Sequence, residues 1–198
     1  MADDIFMSLP ARIDAMRHVR STLLISSFAT LREAGYEEAY LRALPREHHA
    51  EILQSVAGVW IPMPTARAHY DACGTLGLSS ERMFELGRSV AARVQGTLLG
   101  TVVRMTKNTG VTPWTVMPLF PRFWRRAFDG GGVRGVRLGP KEARLEMHQV
   151  ELAESAYFRN AVRGLTVSVL ELFCSRAYVR ELPAPRVRGL ASFRVQWA

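Results

Sequence analysis

The best-placed reactive pair in the sequence is His69 and Cys73, four residues apart with Asp71 between them. On a helix that spacing puts the imidazole and the thiol on one face. Such a pair could begin a metal site, act as nucleophile and base, or offer His69 as an axial haem donor. A metal site needs three or four ligands, and no second His or Cys pair supplies them. His48 and His49, beside Glu47 and Glu51, read as a solvated helix face. His18 falls on the polar side of a first helix and His148 on the polar side of a strand. The reading therefore leans away from an enzyme, expects no metal and no cofactor, and leaves His69, Asp71 and Cys73 as the members any enzyme hypothesis would use.

Gly130-Gly131-Gly132-Val133-Arg134-Gly135 matches G-x-G-x-x-G letter for letter. A dinucleotide site needs a strand before the motif and a helix after it, so that the helix N-terminus meets the pyrophosphate. Here helical signals precede and a strand pattern follows, which makes the glycines a flexible linker. There is no Walker A sequence, no nucleophile elbow and no H-E-x-x-H.

Two other stretches could bind rather than react. Phe120-Pro121-Arg122-Phe123-Trp124-Arg125-Arg126-Ala127-Phe128 interleaves aromatics with three arginines. It reads as an amphipathic helix that docks Phe120, Phe123, Trp124 and Phe128 and exposes the arginines. Contact with an anionic ligand, a nucleic acid or a membrane interface stays open. The other stretch is a long helix over about 80–107, with the stripe Met83, Gly87, Val90, Val94, Leu98, Val102 and Met105. Gly87, Gly96 and Gly100 interrupt it, and each costs about 1 kcal/mol against Ala in an exposed helix. Close packing of a neighbour or room for a ligand would offset that. The ligand reading assigns Gly96, Leu99, Gly100 and Val103 to a pocket wall, and Arg104, Arg122, Arg125 and Arg126 to an anionic head group.

These residues need elements to hold them. Ile13, Met16, Val19, Leu23, Leu24, Phe28 and Leu31 follow a 3.6 period and predict a helix over 11–34, ended by Gly35. Short helices follow over 37–44 and 46–58, punctuated by Pro45 and Gly58. Residues 60–64 form an apolar connector, then a helix runs over 65–76 to Gly77. Short helices fill 112–128. Past Gly132 the period drops to 2: strands over 133–138 and 142–151 form a hairpin turning at Gly139-Pro140, with Ala143, Leu145 and Met147 on one face. A helix over 155–173 precedes strands over 175–182 and 189–197, the last with Ala191, Phe193, Val195 and Trp197 on one face.

The expected fold is α+β: a helical N-terminal layer packed on a small antiparallel sheet of β-β-α-β-β order. It forms one domain, with 1–110 helical, 111–132 short helices and a Gly-rich linker, and 133–198 the ββαββ part. The composition agrees. Of 198 residues, 48% are hydrophobic and 22% charged, which excludes a disordered chain, and two cysteines exclude a disulfide-stapled miniprotein. The net charge is +8, carried by 24 Arg and 2 Lys. Arg is spread along the whole chain, as a GC-rich genome would produce. The excess is regional, net −1 over 1–100 and net +7 over 104–144. That permits an anionic partner at one surface, but no nucleic-acid motif accompanies it. The start, MADDIFMSLP, is not a signal peptide, and no stretch approaches the roughly 20 apolar residues that span a bilayer. A cytoplasmic protein with reduced cysteines is expected.

Several stretches carry a resemblance: Gln95-Gly96-Thr97-Leu98-Leu99-Gly100, Thr112-Pro113-Trp114, Gly139-Pro140-Lys141-Glu142-Ala143, Tyr157 to Gly164, and Phe193-Arg194-Val195-Gln196-Trp197. Together they resemble a bacterial family of about this length, common in myxobacteria, to which no activity is attached. More distantly, a long helix followed by β-β-α-β-β is similar to the ligand-binding superfamily of haem nitric-oxide sensors, vinyl-reductase-type domains and Bet3-like trafficking subunits. That likeness implies a helical layer and a small sheet enclosing an apolar pocket. The haem sensors' Tyr-x-Ser-x-Arg signature is absent, and Tyr157-Phe158-Arg159 lacks its spacing. The functional expectation is a non-catalytic ligand-binding or sensory domain holding an apolar or acyl-type molecule between the long helix and the sheet. A homodimeric interaction module is the alternative.

Overall fold

Long-range hydrogen bonding decides the conformation of the first twenty residues, against the helical periodicity that begins at residue 11. The computed structural model describes residues 4–94, 111–183 and 187–198. Strand β1 spans Asp4–Met7, β2 spans His18–Arg20, and α1 begins only at Ser21 and runs Ser21–Glu33. The helix expected from residue 11 is thus replaced by a loop and a strand. Met16 and Val19 are buried, as their spacing asked, but backbone partners come from far along the chain. Arg17 N donates to Asp129 O at 2.7 Å, Ser21 N to Val59 O at 2.8 Å and Met63 N to Arg17 O at 2.9 Å. β2 lies between β3 (Trp60–Pro62) and β4 (Phe128–Asp129), antiparallel to both. The apolar connector at 60–62 is therefore a strand.

The helical layer otherwise follows its punctuation. α2 spans Glu37–Ala43, and α3 spans His49–Leu53 after a short 3-10 turn. α4 spans Met63–Gly74, with Pro64 in its first turn, where a missing N–H is harmless. α5 spans Ser80–Val94. The expected continuation of this helix to 107 lies outside the described residues. α6 (Pro113–Val116) and α7 (Phe120–Ala127) are the expected short helices.

The second half is antiparallel. β5 spans Gly132–Gly139 and β6 Glu142–His148; α8 spans Ala156–Leu170; β7 spans Ala177–Leu182 and β8 Ala191–Trp197. Ser155 caps α8 by accepting from Phe158 N. The sheet order is β1-β5-β6-β8-β7. It contains the expected ββαββ strands plus β1, an edge strand in a stretch to which the sequence reading assigned no element. Ala143, Leu145 and Met147 of β6 and Ala191, Phe193, Val195 and Trp197 of β8 are buried. The period-2 reading of these strands holds, and the fold is α+β.

Two glycines set how α5 meets α8. A Cβ on Gly87 would sit 2.1 Å from Ala161 O, and one on Gly164 would sit 2.0 Å from Phe84 O. At Gly87, then, close packing offsets the helix penalty. The glycine run at 130–132 is also packed, so the flexible-linker reading is corrected. Gly130 has φ 95°, a conformation costly for any other residue. Its absent Cβ would lie 2.3 Å from Ala15 O, and Gly131 N donates to Asp14 O at 2.9 Å. Among the described residues no helix is long and apolar enough to cross a membrane.

Gly164→Ala is expected to destabilise the protein by about 2–3 kcal/mol, because the backbone of α5 must move to admit the methyl group. Gly74→Ala, at a helical position with nothing within 4 Å, is expected to be neutral or to stabilise by up to about 1 kcal/mol. Chemical denaturation of both variants checks the contrast.

Candidate ligand-binding site

α7 has two faces. Phe120, Phe123, Trp124 and Ala127 fall at i, i+3, i+4 and i+7 and turn inward. Arg122, Arg125 and Arg126 occupy the other side and are exposed. The Trp124 indole is fixed by donation from Nε1 to Gly130 O at 3.1 Å and by the Phe128 ring, 4.4 Å between centroids. The amphipathic reading of this stretch describes what is seen.

Beneath the aromatic face lies a cavity of about 120 Å³. α8 contributes Val162, Leu165 and Val169 to its wall, and the sheet contributes Leu145, Met147 and Phe193. Val94, the last described residue of α5, also faces it. The cavity thus lies between α8 and the sheet, with Val94 of the long helix at its edge, closed over by α7. Thr166 carries the only side-chain hydroxyl among its described lining residues. Gly96, Leu99, Gly100, Val103 and Arg104, the wall and head-group residues expected from the sequence, lie outside the described residues. Arg122, Arg125 and Arg126 are brought together on α7, with the helix between them and the cavity.

A second hollow of about 40 Å³ adjoins the first, sharing Leu23, Phe128, Val162 and Leu165 with it. It reaches inward to Ser27 of α1, Tyr70 of α4 and Tyr157 of α8. Behind Ser27 sits a buried polar chain. Tyr40 Oη is 2.7 Å from His69 Nδ1, and His69 Nε2 is 3.0 Å from Ser27 Oγ and 3.7 Å from Cys73 Sγ. The Tyr157 hydroxyl hydrogen-bonds to Ser27 and Cys73. Desolvation drives His69 down to about 3, so its ring is neutral near pH 7. Burial pushes the Cys73 thiol and the Tyr40, Tyr70 and Tyr157 phenols well above their ordinary values. A neutral imidazole with both nitrogens engaged and an unionised thiol do not make a nucleophile–base pair at neutral pH.

Asp71 does not join them: it is exposed and lies 3.5 Å from Arg67. Among the described residues no group of three or more His, Cys, Asp or Glu could hold a metal ion. The other histidines are more engaged than the sequence suggested. His18 is in β2, not on a helix face, with Nδ1 2.8 Å from Asp129 Oδ2. His18, and then Arg17, hold the Asp129 carboxyl below its ordinary range. His48 and His49 are half-buried: His48 Nδ1 lies 2.9 Å from Thr65 Oγ1, and His49 Nε2 donates to Leu44 O at 2.9 Å. His148 is half-buried, 3.8 Å from Glu146.

Nothing in the sequence marked this convergence. Phe120, Phe123, Trp124 and Phe193 were read as core or docking positions, and a cavity wall has the same composition as a core. The one signal was a run of small polar residues, Ser26, Ser27 and Thr30, on the buried side of α1.

No protein-family model and no curated protein matches the chain. Solved structures do match it. One, described as giving structural insights into the molecular mechanism of H-NOX activation, has a TM-score of 0.60 at 12% identity, over 90% of this chain and 96% of that one. An oxygen-binding H-NOX domain related to soluble guanylate cyclases, in its oxygen complex, has a TM-score of 0.59 at 12% identity, over 90% and 94%. An Fe(II) unliganded H-NOX protein variant from K. algicida has a TM-score of 0.57 at 9% identity, over 90% and 96%. The fold is therefore that of H-NOX domains, and the distant likeness to haem nitric-oxide sensors holds at the level of architecture.

The acid response follows from His69. The folded state resists protonating it, while the unfolded state protonates near 6.5. Its contribution to stability is complete above about pH 6.5 and is lost progressively as pH falls toward about 3. The melting temperature is expected to drop between pH 6.5 and 5, before most carboxylates titrate. His69→Gln, which keeps a donor and an acceptor, should flatten that part of the profile.

Proposed function

We propose that this chain is a non-catalytic, ligand-binding sensory domain that uses the H-NOX fold to hold an apolar small molecule between α5 and the sheet, beneath α7. The observation that carries this is the cavity of about 120 Å³ walled by aromatic and aliphatic side chains from three layers. An apolar cavity of roughly 150 Å³ stays dry and takes benzene. The space here suits one ring or a short acyl chain. Gly96, Leu99, Gly100 and Val103 follow Val94 in the chain and are proposed as further wall. Arg104, with Arg122, Arg125 and Arg126, is proposed as a cationic group outside the cavity, available to an anionic substituent that emerges past α7.

Structural neighbours are described in terms of heme and Fe(II). The described residues of this chain do not fit haem. Its iron needs an axial donor, and the described wall offers no imidazole, thiolate or phenol; the Met147 thioether is its only soft donor. His69 is turned into its own network, between Tyr40 and Ser27. Gas-sensing chemistry is therefore not part of the proposal.

Native mass spectrometry of purified protein, with solvent extraction of bound molecules, is expected to return a small apolar compound. Added compounds of that size should raise the melting temperature, since a ligand at 100 times its Kd adds about 2.7 kcal/mol. Ala127→Phe, which pushes a ring into the cavity from α7, should abolish that rise while leaving the circular dichroism unchanged. An unaltered rise in this variant overturns the proposal.

The interaction-module reading has one surface in its favour. Leu53, Val56, Val59 and Trp60 are exposed close together in the chain, Val56 at 68%. The Arg20 guanidinium lies 3.7 Å over the Trp60 ring. If this patch joins two copies, sedimentation should show a dimer that Trp60→Glu dissociates. A strict monomer removes that reading.

A further inference from the structure

The two hollows differ in one respect. The outer, larger one is walled by hydrocarbon and aromatic carbon, with Thr166 its single described hydroxyl. The inner one is lined by three hydroxyl-bearing side chains, Ser27, Tyr70 and Tyr157, each 6% exposed or less, and the hydroxyls of Ser27 and Tyr157 bond each other. They adjoin, with Leu23, Phe128, Val162 and Leu165 lining both. A molecule entering beneath α7 would meet apolar wall first and these hydroxyls last.

We propose that Ser27 and Tyr157 form a polar subsite at the inner end of the cavity, which receives a neutral hydrogen-bonding group, a hydroxyl or a carbonyl, at the tip of an otherwise apolar ligand. This rests on the reading of the cavity as a ligand site and names the ligand's chemical class.

The hydrogen-bond chain behind the subsite supports it. His69 is held between Tyr40 and Ser27, 2.7 and 3.0 Å away. When Nδ1 accepts from Tyr40, Nε2–H donates to Ser27 Oγ, and the Ser27 O–H, which bonds the Tyr157 hydroxyl, can turn inward to an incoming carbonyl in exchange. In the other tautomer Ser27 donates to Nε2 and keeps its lone pairs for an incoming donor. Ser27 can therefore answer either a carbonyl or a hydroxyl, with Tyr157 as a second hydroxyl beside it. A space of about 40 Å³ is enough for such a tip.

The same surroundings reject a charged head. No Lys or Arg is among the described residues lining either hollow. A carboxylate there would lose its hydration without a counter-charge, a far larger penalty than burying an alcohol. Burial keeps His69, Tyr157 and Cys73 uncharged, so none of them supplies one.

The test is competition against a bound apolar fluorophore at pH 7.5, using the full chain and four eight-carbon probes: octane, 2-octanone, 1-octanol and octanoate. Ser27→Ala and Tyr157→Phe are each expected to weaken the alcohol and the ketone by about 2- to 10-fold, the range of one net hydrogen bond. Octane should change by less than twofold, which also reports that the variants keep their cavity. Octanoate should bind at least tenfold more weakly than octanol. Equal losses for octane and octanol, or no loss for either, overturn the subsite and leave the cavity reading intact. Octanoate binding as well as octanol, and weakening on Arg125→Ala or Arg126→Ala, overturns it in favour of a head group outside α7. Failure of all four probes overturns the cavity reading itself, and the subsite with it.

Discussion

The architecture hangs on two absent methyl groups. Gly87 and Gly164 let the backbones of α5 and α8 touch, and any other residue at either place would push them apart. α8 in turn is tied to the sheet, where Arg163 Nε donates to Val179 O at 3.1 Å. α5 is tied to α1 by the Arg93–Glu33 ion pair. The crossing therefore fixes the height of the helical layer above the sheet. Close to it, backbone meets backbone. Two turns along α5, Val94 already faces open space. The cavity is what remains between layers held together at one point and roofed by α7.

Chemistry in the interior is kept neutral, and charge is kept outside. The buried polar groups of the helical half are hydroxyls, a thiol and one imidazole, arranged so that each finds a partner among the others. The charged pairs sit in partly or fully exposed positions, such as Arg188 with Glu151 and Glu154 or Arg42 with Glu38. Surface pairs of this kind contribute about 0–1 kcal/mol each. The basic excess over 104–144 takes its most concrete form on α7, whose three arginines share one exposed side.

How much of this the sequence disclosed depends on the range of the interactions involved. Gly35 and Pro45 end α1 and α2 by local backbone preference, and those boundaries were readable, whereas α3 stops at Leu53, five residues before Gly58, and α4 at Gly74, three before Gly77. The alternation through Glu142–His148 and Ala191–Trp197 was readable because one face of each strand is buried. Residues 13–19 were misread because β2 is three residues long, too short to show a period, and its partners lie at 60–62 and 128–129. Gly130 looked like a flexible break because its need for a left-handed conformation and the approach of Ala15 come from that same pairing. The wall expected on the long helix, at Gly96, Leu99, Gly100 and Val103, lies outside the described residues. The described wall gathers ordinary apolar residues from α7, α8 and the sheet, and apolar side chains carry no mark that separates a lining from a core. His69 was set aside as a metal donor for lack of partners, and its four-residue spacing to Cys73 hid that its closer partners come from α1 and α2.

The pairing of the first twenty residues also has a kinetic meaning. Asp4 pairs with Arg137, and His18 with Asp129. Each closes a loop of more than a hundred residues, and the chain bears the entropy of that closure before the contact rewards it. During synthesis β1 has no strand partner until β5 has followed, and β2 has only β3 until β4 arrives. β6 in turn remains an unpaired edge until β8, the last strand, arrives. The helices can form early, but the sheet is completed only once β8 has followed, with β6 exposed to wrong partners until then. The charges along its outer face, Arg144 and Glu146, make that waiting edge less hospitable to them.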